Sequence, residues 1–135
     1  MVVVYGAIKG KARPRFNTKT GRAYTPGQTK TYENHIKAAY IEQQGVNYGL
    51  LPVRVRIEMY FEIPKSYTKK RVKAILEGKE QPTKKIDVDN CAKVILDALN
   101  KVAYDDDKQV IELTVIKRWT EEKERIEFEI EEMVV

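Results

Sequence analysis

The window 84–110, KKIDVDNCAKVILDALNKVAYDDDKQV, carries the residues of this chain best suited to chemistry. Asp87 and Asp89 stand two apart. They project from one face if the segment is extended, and they cluster at a helix start if it is the first helical turn. Asp89, Lys93 and Asp97 follow at intervals of four, a row along one side of a helix. Asp105, Asp106 and Asp107 come just past the expected helix end. Carboxylates gathered from both segments repel one another and need a cation between them. A hard divalent ion with oxygen ligands is the expected occupant, and magnesium suits one or two carboxylates plus a substrate phosphate. Such an ion polarises a phosphoryl oxygen and activates a bound water, while Lys93 is placed to neutralise the charge that builds on the phosphate. The chemistry this predicts is phosphodiester hydrolysis.

The same residues admit plainer roles. Asp87 or Asp89 could cap a helix N-terminus, where carboxylates are favourable. Asp89 and Lys93 could form a surface pair worth a few tenths of a kcal/mol, and Asp105 to Asp107 could be a polar turn. The two acidic groups also sit at opposite ends of the expected helix, which rises about 1.5 Å per residue. They meet only if the chain turns back or the 104–108 loop folds across. Calcium binding of the EF-hand kind is excluded, because the loop lacks its glycine and its bidentate glutamate. Cys91 is the only cysteine and His35 the only histidine, so neither a disulfide nor the usual zinc cluster is available. Cys91 falls in an apolar helical pattern and is expected in the core.

The elements that must position these residues can be read from periodicity. Residues 2–8 read as a strand, and NTKTG as the turn of an exposed hairpin over 13–25. Thr25, Pro26 and Gln28 open a helix over 26–44 that stops near Gly45. Residues 53–63 alternate apolar and polar side chains, the pattern of a half-buried strand. A short basic helix over 66–78 is closed by Gly78. A second long helix runs over 88–102 with Ala92, Ile95, Leu96, Leu99 and Val102 on one side. Strands over 109–119 and 125–133, joined by TEEKE, are expected to form an antiparallel hairpin. The fold class this predicts is α+β: a single domain over 1–135, with one mixed sheet of about four strands and helices on one face.

The chain has 135 residues, 42% hydrophobic and 33% charged, with a net charge of +5. Lys9, Lys11, Arg13, Arg15, Lys19, Arg22 and Lys30 have no acid among them, and residues 65–85 form a second basic block. Two such blocks predict one electropositive face for a polyanion. Apolar residues precede the basic ones at the N-terminus, the reverse of a secretory signal, and no stretch approaches the ~20 apolar residues of a membrane span. A cytoplasmic protein is expected. The acidic stretch 121–132 alternates and reads as an exposed strand.

The spacing D-x-D-N-x-x-K-x-x-x-D-A-L-N followed by D-D-x-Q-V resembles the signature of RusA-type Holliday junction resolvases, encoded mainly by phages and prophages. It is carried here by Asp87, Asp89, Asn90, Lys93, Asp97, Ala98, Leu99 and Asn100, then Asp106, Asp107, Gln109 and Val110. Lys11 to Phe16, Ala23-Tyr24-Thr25-Pro26 and Tyr32-Glu33 are also similar to that family. The resemblance implies a homodimer that binds a four-way DNA junction and nicks two opposing strands symmetrically, using magnesium or manganese. It implies that Asp87, Asp89 and Asp107 are the essential acids, with Asp106 beside them as a further metal ligand, and that Lys93 is the catalytic lysine. Lys11, Arg13, Arg15, Arg22, Lys69, Lys70, Arg71, Lys84 and Lys85 would then contact phosphates. Phe16 and Tyr24 either stack on unpaired bases or pack on their own helix. The sequence departs from the pattern at Ile86, often arginine in the family. It departs again in having three aspartates before Lys108, and alignment on Gln109-Val110 favours Asp107. A branched-DNA binder that does not cut, and a flap or fork nuclease of the same fold, are the competing readings.

Overall fold

In the computed structural model the described residues are 1–10, 15–17, 19, 22–24 and 27–133, with backbone alone for 15–17 and 22–24. The alternation in VRVRIEMYFE makes β4 (Val53–Glu62) a strand with one dry face, and its Val53, Val55, Ile57, Met59 and Phe61 are all buried. Its partners are β1 (Val2–Tyr5), β5 (Val110–Thr120) and β6 (Arg125–Glu132), in the order β1-β6-β4-β5. The dry face is covered by α1 (Gly27–Gln43) through Tyr32, Ile36 and Tyr40, and by α3 (Val88–Leu99) through Cys91, Val94, Ile95 and Leu99. Tyr40 stacks on Phe128 of β6, ring centroids 6.3 Å apart. Each such buried side chain contributes about 1.5–3 kcal/mol.

The opposite face of the sheet is a ladder of charges. Arg54 lies between Glu112 and Glu131 at 3.6 and 3.5 Å, and Glu58 accepts from Arg56, Tyr60 and Arg118. A short helix, α2 (Lys69–Leu76), is capped by the Thr68 side chain, which accepts from the Arg71 amide at 3.2 Å. The chain leaves α2 through Gly78, at φ +77°. Strands β2 (Arg15–Asn17) and β3 (Arg22–Tyr24) pair antiparallel as a separate ribbon, in agreement with the expected hairpin. Thr25 and Pro26, the expected helix opening, lie outside the described residues.

The expected hairpin of the last two strands does not form. β5 pairs with β4 in parallel, and β6 pairs antiparallel with β4 and β1. The connector 121–124 therefore passes over the end of β4. Strands are spaced about 4.8 Å apart, so four residues reach across one intervening strand. TEEKE also lacks the Asn-Gly or Asp-Gly pair that a tight two-residue hairpin needs. As a result β6 is an inner strand with Ile126, Phe128 and Ile130 buried, and the reading of 121–132 as exposed holds only for its acidic face. The long helix is also shorter than expected. It ends at Leu99, after which Lys101 takes a left-handed φ of 66°.

Candidate active site

The chain reaches α3 along an anchored path. The Lys117 ammonium of β5 donates to the carbonyls of Lys85 and Ile86 at 3.1 and 3.2 Å, fixing the two residues before Asp87. Asp87 occupies the N-cap position with extended backbone (φ −64°, ψ 146°), and its carbonyl accepts from the Cys91 amide at 3.1 Å. Its carboxylate makes no capping hydrogen bond. Asp87, Asp89 and Lys93 are all exposed, and among the described residues none of the three side chains is held in an ion pair. The plain roles for these acids, cap and surface pair, are therefore unfilled.

A second chain segment closes on the same helix start. Gly10 packs against the Asn90 carboxamide. The loop 6–10 that carries it is held by Glu124. The Gly6 amide donates to the Glu124 carbonyl at 3.1 Å, the Ile8 amide to its carboxylate at 3.0 Å, and the Glu62 amide to the other carboxylate oxygen at 3.2 Å. The basic ribbon follows directly. Lys11 and Arg13 lie outside the described residues, as do the side chains of Arg15, Phe16, Arg22 and Tyr24.

The other acids gather at the far end of α3. Tyr104 is buried and donates to the Leu96 carbonyl at 2.7 Å, which brings the chain back onto the helix. Asp105 pairs with Lys101 at 3.0 Å. Asp106 caps a 3-10 turn (Asp107–Gln109), accepting from the Lys108 amide at 2.9 Å, while the Gln109 side-chain oxygen accepts from the Asp106 amide at 2.8 Å. Gln109 also donates to the carbonyls of Gly49 and Leu51, tying the turn to the loop before β4. The Lys108 amide, with the Asp107 side chain, holds Asp106 below the usual aspartate range. Local desolvation, then the Asp106 side chain and the charges of Asp106 and Asp97, push Asp107 above it. Of the three aspartates, Asp105 and Asp106 have structural partners, while Asp107 faces other carboxylates.

The structure thus brings Asp106 and Asp107 together, within electrostatic reach of Asp97, and leaves Asp87 and Asp89 at the other end of the helix. Asp87 and Asp97 are ten residues apart, about 15 Å along the axis. Among the described residues no three acidic, histidine or cysteine side chains converge as a metal cluster. The donor chemistry suits a hard cation, and neither half alone makes a cluster of three. Cys91 is buried, with its thiol pushed up to about 12 by burial, so it is no nucleophile.

The second basic block is partly structured for contact. Lys69, Lys70 and Lys84 are exposed. Arg71 is held by both carboxylate oxygens of Glu80 at 3.2 Å and lies 3.7 Å over the Tyr67 ring, and Lys85 approaches the Trp119 ring at 6.0 Å. Tyr67, Trp119, Glu124 and Gly10 are passed over by sequence reading. Only the aromatic in SYTKKR, beside a lysine run, gives a local signal. Among the described residues no helix is long and apolar enough to cross a membrane.

The protein YqaN of Bacillus subtilis (strain 168), described as uncharacterized, is 33% identical over 134 residues, 96% of this chain and 94% of YqaN. Residues 6–131 match the family described as endodeoxyribonuclease RusA, which spans both the loop before the ribbon and the whole acidic motif. The chain belongs to the RusA endodeoxyribonuclease family.

Proposed function

We propose that this protein is a magnesium- or manganese-dependent endonuclease that resolves four-way DNA junctions by paired, symmetric nicks, acting as a homodimer in the cytoplasm of a bacterium or of a phage-infected cell. The observation that carries the reading is the idleness of Asp87, Asp89 and Lys93. Three exposed, chargeable side chains stand at one helix start without a capping bond or an ion pair among the described residues. At the helix N-terminus the two acids stabilise α3 by only about 0.3–1 kcal/mol each, and the spacing of the three is the one expected of a hydrolytic site.

Asp87, Asp89 and Asp107 are the acids assigned to metal binding, with Asp106 holding Asp107 in place as well as adding charge. A bound divalent ion supplies polarisation of the scissile phosphate and an activated water. Lys93, one turn beyond Asp89, faces the phosphate and offsets the charge that develops there. Lys69, Lys70, Arg71, Lys84 and Lys85, with Lys11, Arg13, Arg15 and Arg22 of the ribbon, hold the backbone of the junction arms.

The division of the acids supports the homodimer. One chain holds its two halves about 15 Å apart along α3, so a second copy is needed to bring Asp107 of one chain to Asp87 and Asp89 of the other. Strand β5, which the 3-10 turn enters directly, is bonded on one side only and shows Ile111 and Leu113 at 63% and 42% exposure, an edge suited to a second copy. A twofold dimer presents two equivalent sites to a substrate with twofold pseudo-symmetry.

The test is incubation of the purified chain with a labelled four-way junction, with magnesium and with chelator. Paired nicks that need the ion are expected. Junction binding without cutting in magnesium would make the protein a binder, and equal cutting of flaps and forks would remove the junction assignment.

A further inference from the structure

A cavity of about 370 Å³ opens beside the approach to α3, between Tyr67, Arg71, Lys84, Lys85 and Trp119. It falls in the size range of small-ligand pockets, roughly 300–1,000 Å³, and is too small for a duplex. Its walls combine these aromatic and cationic side chains with Glu80, Gln81, Pro82 and Thr83. Tyr67 and Trp119 meet edge to face with centroids 6.2 Å apart, so a flat ring laid on one meets the edge of the other. The Arg71 guanidinium, held by Glu80, covers one face of the Tyr67 ring at 3.7 Å, a cation–aromatic stack that a further flat ring can join. Lys84 is exposed at the rim, and Lys85 leads through Ile86 to Asp87.

Stacking surfaces and rim lysines are the chemistry of one nucleotide out of its stack. We infer that this cavity receives a single unpaired nucleobase of the DNA, with Lys84 and Lys85 on the flanking phosphates. The inference rests on the function proposed above and deepens it. Bases within a duplex are stacked and paired and cannot enter, so the cavity selects strands that open, as at a crossover. A base held there fixes its strand two residues from Asp87.

Trp119 is the only tryptophan of the chain, so its emission reports on the cavity directly. The full chain in chelator, where no cutting occurs, is titrated with a short oligothymidylate, a four-way junction and a duplex. Binding is followed separately by anisotropy of the labelled DNA. Single strand and junction are expected to quench Trp119 and the duplex to leave it unchanged. Tyr67→Ala should weaken single-strand binding about tenfold, and Tyr67→Phe, which keeps the ring, should bind as wild type. If Tyr67→Ala fails to fold by circular dichroism, the quench in the wild-type chain and the Tyr67→Phe result decide. Junction and single strand bound by anisotropy, with unchanged emission, would overturn the inference and leave the proposed function standing. Quenching by an acidic peptide but not by the oligothymidylate would also overturn it. Absence of any DNA binding would overturn both.

Discussion

Gly10 is packed on Asn90 so closely that a Cβ at residue 10 would overlap the Asn90 amide nitrogen and stand 2.9 Å from its Cγ. This contact seats the root of the basic ribbon on the first turn of α3, next to Asp87 and Asp89. It joins the two parts of the chain that carry the basic ribbon and the acidic motif. A carboxamide can swing aside, so Gly10→Ala is expected to cost only about 1 kcal/mol in stability. The displaced Asn90 disturbs the first turn of α3 beside Asp87 and Asp89, and junction cleavage should fall about tenfold or more. Thermal unfolding and cleavage rates measured side by side check this. Equal cleavage by the variant would make the contact simple packing.

Glu124 bridges the loop 6–10 to the end of β4 by accepting from Ile8 and Glu62. Glu124→Ala leaves both amides without that acceptor. A loss of about 1–3 kcal/mol in denaturant unfolding is expected, together with faster hydrogen exchange at the Ile8 amide. Unchanged protection at Ile8 would contradict the role given to this carboxylate.

Glu58 sets a pH dependence on the outer face of the sheet. The Tyr60 hydroxyl first, then Arg118 and Arg56, hold its carboxyl below the ordinary value of 4.5. A carboxylate with a lowered folded value adds stability above the ordinary range and loses it as pH falls through the lowered value. Glu58→Gln should therefore be less stable than wild type by about 1–2 kcal/mol at neutral pH. The gap should narrow as pH drops below 4.5. A gap that is constant across this window would show that the ionised form of Glu58 adds nothing.

Lys93→Ala separates two roles for the one idle cation on α3. A side chain that acts in the transition state lowers kcat and leaves junction affinity near wild type. A fall of about a hundredfold in turnover, with little change in binding, is expected by analogy with the loss of other charge-stabilising groups. An equal loss in both would make Lys93 a plain phosphate contact.

Much of this architecture is legible in local patterns. The alternation of β4 and the apolar side of α3 follow periods of two and of about 3.6, and both are set by near neighbours in the chain. The acidic motif was legible for the same reason. What was not legible depends on partners distant in sequence. Whether β6 pairs with β5 or slips between β1 and β4 depends on which edge of β4 is open, and no feature of TEEKE encodes that. The seating of Gly10 on Asn90 and the meeting of Tyr67 with Trp119 likewise arise only from the folded sheet. The sequence did disclose that the two acidic groups flank a helix, but not that Asp107 would settle near Asp97.

The central claim is that acids from opposite ends of α3 act at one site built by two chains. Mixing Asp89→Asn with Asp107→Asn tests it most directly. Each variant alone should bind junction and fail to cut in magnesium. A mixed dimer has one site with both lesions and one with neither, so exchanged chains should regain nicking of a single strand. If verified mixed dimers stay as inactive as their parents, or if either variant alone cuts as wild type does, the account is contradicted.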